Sequence, residues 1–166
     1  AVDPSHPFPV LNNKAIQIAV SLRRHDSGKI VQAFVEVPEV LPRFIRVRCP
    51  RFKDSNTYVL LEDIITHNIG ALFSKCGIIE VIQFRINRNM EFTLDEEDAA
   101  DLISELRKEL LQQRRQEIIR MEILKKDRRR TKLERWLCRQ IGLDKSKIYH
   151  VDCILHLANF FQLVSK

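Results

Sequence analysis

Glycine is scarce in this chain. The four present, Gly28, Gly70, Gly77 and Gly142, stand too far apart for GxGxxG or GxxxxGK, so no loop of glycine amides is available to cradle a nucleotide's phosphates. Cysteine is equally sparse. Cys49, Cys76, Cys138 and Cys153 have neither the close spacing of a disulfide framework nor paired CxxC metal knuckles, and a reducing cytoplasm is the expected compartment. No apolar stretch reaches the roughly 18 residues that a membrane span needs, and Ala1-Val2-Asp3-Pro4 lacks the basic and apolar regions of an export signal. Three of the six prolines fall within the first nine residues, and no Gly/Ser tract, repeat or low-complexity run interrupts the rest. With no internal linker, 166 residues and a hydrophobic fraction of 45%, residues 1–166 are expected to form one domain around one continuous core. An opening without Met, on a proline-rich segment, reads as a domain boundary in a longer chain.

What is present is a succession of apolar periods. Residues 1–12 form a lead-in whose prolines enforce extended geometry. Ile16–Arg23 and Ile30–Val37 flank Asp26-Ser27-Gly28 and predict a β-hairpin. In Phe44–Arg48, Ile45 and Val47 share one strand face, while Phe44, Arg46 and Arg48 share the other. Apolar positions from Leu61 to Phe73 recur at helical spacing, predicting a helix over Leu60–Phe73 that Gly77 closes. Ile78–Ile86 reads as a strand followed by an Asn87-Arg88-Asn89 turn. A helix is expected from about Leu94 to Arg115, with Ala99, Leu102, Ile103, Leu106 and Leu110 on one stripe and a Thr93/Glu96 capping box. Ile118–Leu124 follows as a strand with Ile119, Met121 and Ile123 on one face and Arg120 and Glu122 on the other, completing a β-α-β unit. Thr131 and Glu134 form a second capping box ahead of Leu133, Trp136, Leu137 and Ile141, and Gly142 sits at the C′ position. Ile148–Val151 is a short strand, and Ile154, Leu157, Ala158 and Phe161 suggest a last helix capped by Asp152. The fold class expected is α+β: a mixed, mainly antiparallel sheet packed against two or three amphipathic helices.

The residues offer little catalytic chemistry. His150, Cys153 and His156 have metal-like spacing, but zinc needs about four ligands, and the plainer reading puts His150 at a strand end with Cys153 packed as a small apolar side chain. His25 lies in a turn and His67 in mid-helix, without acidic or nucleophilic neighbours in sequence. The acids Asp95 to Asp98 suit the first turn of a helix, where they complement its dipole, better than a Mg²⁺ site. No catalytic residue and no metal ligand is therefore expected. Charge is more telling: 28 basic side chains against 22 acidic ones give a net +6, which favours anionic partners without amounting to a nucleic-acid arm. Arg43, Arg46, Arg48, Arg51 and Lys53 follow one another with no acid between them. Lys125 to Lys132 holds a second basic cluster, read either as a solvated loop or as a phosphate-binding run. Neither cluster is interleaved with the aromatics that single-strand binders stack on, which argues against sequence-specific nucleic acid as a partner.

In order along the chain stand Asp3-Pro4-Ser5-His6-Pro7-Phe8-Pro9 with Asn12, Val37-Pro38 with Leu41-Pro42-Arg43-Phe44, and Leu61-Glu62-Asp63 with Asn68 and Leu72-Phe73. Phe84-Arg85-Ile86-Asn87-Arg88-Asn89, Ile119-Arg120-Met121-Glu122 and Tyr149-His150-Val151-Asp152 follow. Together these blocks resemble the middle, or head, domain of type 1 polyphosphate kinases over nearly the whole chain. The sequence departs from that pattern at Asn87, where a small hydroxyl residue is common, and in the unusually basic Lys125–Lys132 run. The resemblance implies part of an enzyme that moves the terminal phosphate of ATP onto polyphosphate, reversibly, through a phosphohistidine and with Mg²⁺. The histidine and the nucleotide pocket are implied to lie in other domains, so this domain binds no cofactor alone. It would assist homo-oligomer assembly and wall the polyanion path. A basic face of Arg43, Arg46 and Arg48 would ease the approach of polyphosphate, and Arg85 and Arg88 are further candidates. The rival expectation is a free-standing basic module that docks RNA or an acidic partner.

Overall fold

A computed structural model describes residues 8–48, 56–89, 117–124 and 130–164. Most of the proline-rich lead-in, Cys49, Arg51, Lys53, the expected helix from Leu94 to Arg115 and residues 125–129 of the second basic run lie outside the described residues.

Strands β1 (Ile16–Arg24) and β2 (Ile30–Glu36) pair antiparallel, from Gln17 opposite Glu36 to Arg23 opposite Ile30. Gly28, at φ 66°, supplies the left-handed residue that closes this hairpin. Strand β3 (Phe44–Val47) pairs with β4 (Thr57–Leu60), a strand without a counterpart among the expected elements, whose last residue, Leu60, was expected to open the helix. Next comes α1 (Leu61–His67), then α2 (Ile69–Leu72). The expected single helix breaks at Asn68, whose side chain donates to the Ile64 carbonyl at 2.8 Å and competes with the helical ladder. Gly77 does not end a helix; it lies inside β5 (Cys76–Arg88). Asn87 and Arg88 likewise continue β5 rather than turning, because β6 (Ile118–Leu124) pairs with them.

The last third contains α3 (Lys132–Ile141), a 3-10 turn at Lys145–Lys147, β7 (Ile148–Val151), a second 3-10 turn at Leu157–Phe160 and α4 (Phe161–Val164). The final turn starts later than its apolar spacing suggested, and His156, in a left-handed conformation, precedes it in place of Asp152. The five-stranded sheet has the order β2-β1-β5-β6-β7. Its β6–β7 pair is parallel and the other pairs are antiparallel. β5 and β6 are therefore antiparallel neighbours, and the β-α-β unit with parallel strands among the described residues is β6-α3-β7. An α+β fold with a mixed, mainly antiparallel sheet results.

The sheet is covered on both sides. On one, Phe84, Ile86, Met121 and Ile123 pack under Leu133 and Leu137 of α3. On the other, Ile18, Val20 and Leu22 pack under Leu61 and Ile69, with Leu155 of the C-terminal segment. Met121 and Ile123 are buried as their alternation requires, but Ile119 is 43% exposed. A register shift explains the difference: Asn87 faces Arg120 while Arg88 faces Ile118, so Ile119 is left over as a bulge and Ile118 takes the inner face. Phe8, of the lead-in, is held by Phe34 and Trp136 at ring distances of 5.1 and 6.1 Å.

α3 shows why local sequence sufficed there. The Thr131 hydroxyl accepts from the Glu134 N–H at 3.2 Å, and Gly142 ends the helix at φ 71°, ψ 24°. Truncating Leu137→Ala in the middle of its buried face should destabilise by about 2–5 kcal/mol, whereas Thr131→Ala and Gly142→Ala should each cost about 1 kcal/mol. Urea midpoints of the three variants test that ranking.

Candidate functional site

The β2–β3 loop delivers Arg43 to the start of β3 with its side chain pointing into the protein. Arg43 is 5% exposed and Glu62, in the first turn of α1, is 1% exposed. Arg43 Nε donates to both Glu62 oxygens at 3.0 and 3.2 Å, Nη2 donates to the Leu155 carbonyl at 2.6 Å, and Nη1 to the His156 carbonyl at 3.0 Å. The Arg43 carbonyl accepts from Leu61 N–H at 2.8 Å. One side chain thus ties β3, α1 and the C-terminal segment together. Beside it, Phe44 is buried against Phe160, with ring centroids 5.1 Å apart.

The expected basic face therefore divides. Arg46, opposite Tyr58, and Arg48 are exposed, while Arg43 is buried and satisfied internally. Arg85 lies on β5 opposite Glu122 and pairs with it at 3.2 Å; the same carboxylate takes Arg120 Nε at 3.0 Å. Arg120 also lies 4.3 Å from the ring centre of Tyr149, a cation–π distance. Burial pulls the Arg85 guanidinium below its ordinary value, with Glu122 opposing. Arg88 faces the lead-in: its backbone N–H donates to Asn13 Oδ1 at 2.9 Å and its Nη2 to the Leu11 carbonyl at 3.2 Å.

A cavity of about 270 Å³ opens beside Arg43, with Lys14, Glu39, His156, Asn159 and Gln162 on its wall. Lys14 and His156 have φ of 63° and 53°, the positive-φ positions other than glycine among the described residues. Such conformations cost on the order of 1–3 kcal/mol each and both have a visible return. Lys14 N–H caps the sheet by donating to the Ile86 carbonyl at 2.9 Å, and the turn at His156 aims two carbonyls at Arg43. Burial, then Arg85 and Arg43, push the His156 imidazole below its ordinary value, while Glu39 and Glu122 pull weakly the other way. Near neutral pH the cavity therefore presents a neutral imidazole beside the side chains of Lys14, Glu39, Asn159 and Gln162, a mixed set that hydrogen-bonds polar groups and lacks an aligned nucleophile and base.

The spacing His150-x-x-Cys153-x-x-His156 does not converge. His150 Nε2 lies 2.8 Å from Glu134 Oε1, Cys153 is exposed instead of packed, and His156 lines the cavity. Among the described residues no three His, Cys, Asp or Glu side chains gather where a metal would sit. Sequence reasoning missed the buried acid Glu62 and took Glu134 for a capping-box side chain, whereas its carboxylate is buried on His150 and Arg130. A signal was present for both. Glu62 precedes Ile65 and Ile69 by three and seven positions, and Glu134 precedes Leu137 and Ile141 by the same intervals, so each carboxylate stands on an apolar stripe and needs a buried partner.

The sequence matches the family model described as the polyphosphate kinase middle domain over residues 1–163. The chain belongs to that family. The polyphosphate kinase of Staphylococcus epidermidis is 33% identical over 164 residues, covering 98% of this chain and 21% of the relative. That of Exiguobacterium sibiricum is 36% identical over 166 residues, covering 100% and 23%. The crystal structure of polyphosphate kinase from Porphyromonas gingivalis has the same fold, with a TM-score of 0.67 at 17% identity over 96% of this chain and 21% of that one. This middle domain thus spans between a fifth and a quarter of the length of the curated relatives it matches.

Two outcomes are expected for the middle domain. Arg43→Met should destabilise by about 3–5 kcal/mol, because Glu62 is left as an uncompensated buried charge; adding Glu62→Leu should restore much of that loss in urea unfolding. Because folded His156 titrates below an unfolded histidine, stability should hold above about pH 6.5 and decline as pH falls from there through the depressed His156 value. His156→Asn, which tolerates the left-handed backbone, should flatten that limb of the pH–stability curve.

Proposed function

We propose that this chain works as the middle domain of an enzyme that transfers the terminal phosphate of ATP to polyphosphate, reversibly and with Mg²⁺, while the phosphorylated histidine is carried by other domains. The observation that carries this reading is the family match over residues 1–163 together with relatives of 33–36% identity that are themselves named polyphosphate kinase. Within it the domain has a non-catalytic part: it docks against the other domains, supports assembly of a homo-oligomer and lends positive potential to the polyanion's path. Exposed Val40, Leu157 and Phe161, in the two segments that flank the Arg43 cavity, support a docking role. Exposed Arg46 and Arg48 support the electrostatic one. No helix among the described residues is long and apolar enough to cross a membrane, and cytoplasmic residence is part of the proposal.

Full-length protein should make polyphosphate from ATP in a Mg²⁺-dependent assay, and the middle domain alone should not; synthesis by the isolated domain would overturn the non-catalytic assignment. Arg46→Gln with Arg48→Gln in the full-length enzyme should lower the slope of log Kd against log salt for polyphosphate by about 1.4, taking ~0.7 per phosphate contact with a single-stranded polyanion.

A further inference from the structure

The outer side of α3 carries a concentration of positive charge of which only Arg130, paired with the buried Glu134, has an acidic partner among the described residues. Lys132, Arg135 and Arg139 are exposed on the helix, Arg130 stands just before it, and the αL residue Gly142 with the following 3-10 turn brings Lys145 back alongside. These five cations line an open groove of about 750 Å³ whose apolar lining is Cys138, Leu143 and Ile148. Among the described residues no carboxylate lines it. The two nearest in sequence are engaged: Glu134 is 0% exposed, holding His150 at 2.8 Å with Arg130 at 3.4 Å, and Asp144 accepts from Ser146 N–H at 2.8 Å and its hydroxyl at 2.6 Å. Burial raises the Cys138 thiol, so it adds no negative charge near neutral pH.

Helix electrostatics accounts for Arg139 near the C-terminus but opposes Arg130, Lys132 and Arg135, which crowd the positive end of the dipole. Like charges held together around a groove cost free energy in the empty protein and are relieved by a polyanion. The groove also lacks a stacking surface. Trp136, on the same helix, faces away and packs on Phe34 and Phe8, with ring centroids 6.1 Å from each. Without an aromatic ring, single-stranded nucleic acid would lose the base stacking that ordinarily supplies about 1–3 kcal/mol per base, whereas a ligand made only of phosphates loses nothing.

We propose that the groove formed by Arg130, Lys132, Arg135, Arg139 and Lys145 is a binding track for linear inorganic polyphosphate. The proposal rests on the polyphosphate-kinase reading and adds a surface to it: the chain's most basic run, Lys125–Lys132, ends on this groove, and its described cations Arg130 and Lys132 form one end of it.

The test uses the full-length protein with Arg135→Gln, Arg139→Gln and Lys145→Gln combined, all at exposed positions. Binding of fluorescently labelled long-chain polyphosphate is titrated over a range of salt, beside ATP-dependent polyphosphate synthesis and binding of single-stranded RNA of matched charge. The slope of log Kd against log salt should fall by about two and affinity at low salt by about tenfold, at ~0.7 per lost phosphate contact. Lys29→Gln with Lys75→Gln, exposed near the β1–β2 turn, should leave both unchanged. The charge-preserving pair Arg135→Lys and Arg139→Lys should keep the wild-type slope, and Lys145→Gln alone should lower it by ~0.7, so the prediction stands even should the triple variant misfold. A wild-type enzyme that makes polyphosphate while the Lys145 and triple variants keep its slope overturns the groove alone. An enzyme that neither makes nor binds polyphosphate overturns the kinase reading and the groove with it. Tighter binding of the RNA than of polyphosphate, lost in the triple variant, overturns the ligand assignment in favour of nucleic acid.

Discussion

An arginine and a glutamate removed from water are costly to fold around, and a pair so placed persists only when its remaining donors are also satisfied. Arg43 and Glu62 meet that condition through chain segments far apart in sequence that also share the second core. Beyond β7 the backbone has no sheet partner, and what holds it over the second core is the pair of carbonyls at Leu155 and His156 bonded to the Arg43 guanidinium, with Leu155 itself buried beneath. The same contact fixes the entry to α1 through the Arg43 carbonyl. Phe44 packs against Phe160 beside this clasp. The cavity with Lys14, Glu39 and His156 is the space left around it.

Legibility in the sequence followed whether an element's determinants were local. α3, with a threonine cap, an apolar stripe and a terminal glycine within a dozen residues, was readable to its ends, and so were β6 and β7. The β1–β2 hairpin was readable from its turn. Where pairing decided the outcome, periodicity misled. Asn87 and Arg88 have turn-like neighbours but are strand because β6 lies beside them, and Ile119 fits the inner-face pattern yet a bulge moves it outward. β4 was not expected at all, because a four-residue run is too short to show a period and its pairing with β3 is set by the fold. At the candidate site the chain order of Arg43, Arg46 and Arg48 suggested a shared face, and only the fold showed that the first serves the interior and the other two the surface.

Charge in this domain accordingly does two jobs that composition alone merges. One set of cations, Arg43, Arg85 and Arg88, is spent on carboxylates and backbone carbonyls and rigidifies the α1 side of the sheet and the lead-in. The other, exposed on β3 and around α3, is matched by few acids and sets the potential that an approaching anion meets. The net charge of +6 does not distinguish the two sets, and a moderate total coexists with a local surface of one sign around α3.

The clasp also orders events during synthesis. Arg43 and Glu62 are 19 residues apart, but Arg43 and Leu155 are separated by 112, so the ion pair can form early while its carbonyl partners are still untranslated. Until Leu155 leaves the ribosome, a desolvating arginine has donors without acceptors, and the second core lies open at the side that Leu155 will close. A nascent domain therefore exposes most of its second core in the interval between translating α1 and translating Leu155, and that stretch is where a chaperone would find the most to hold.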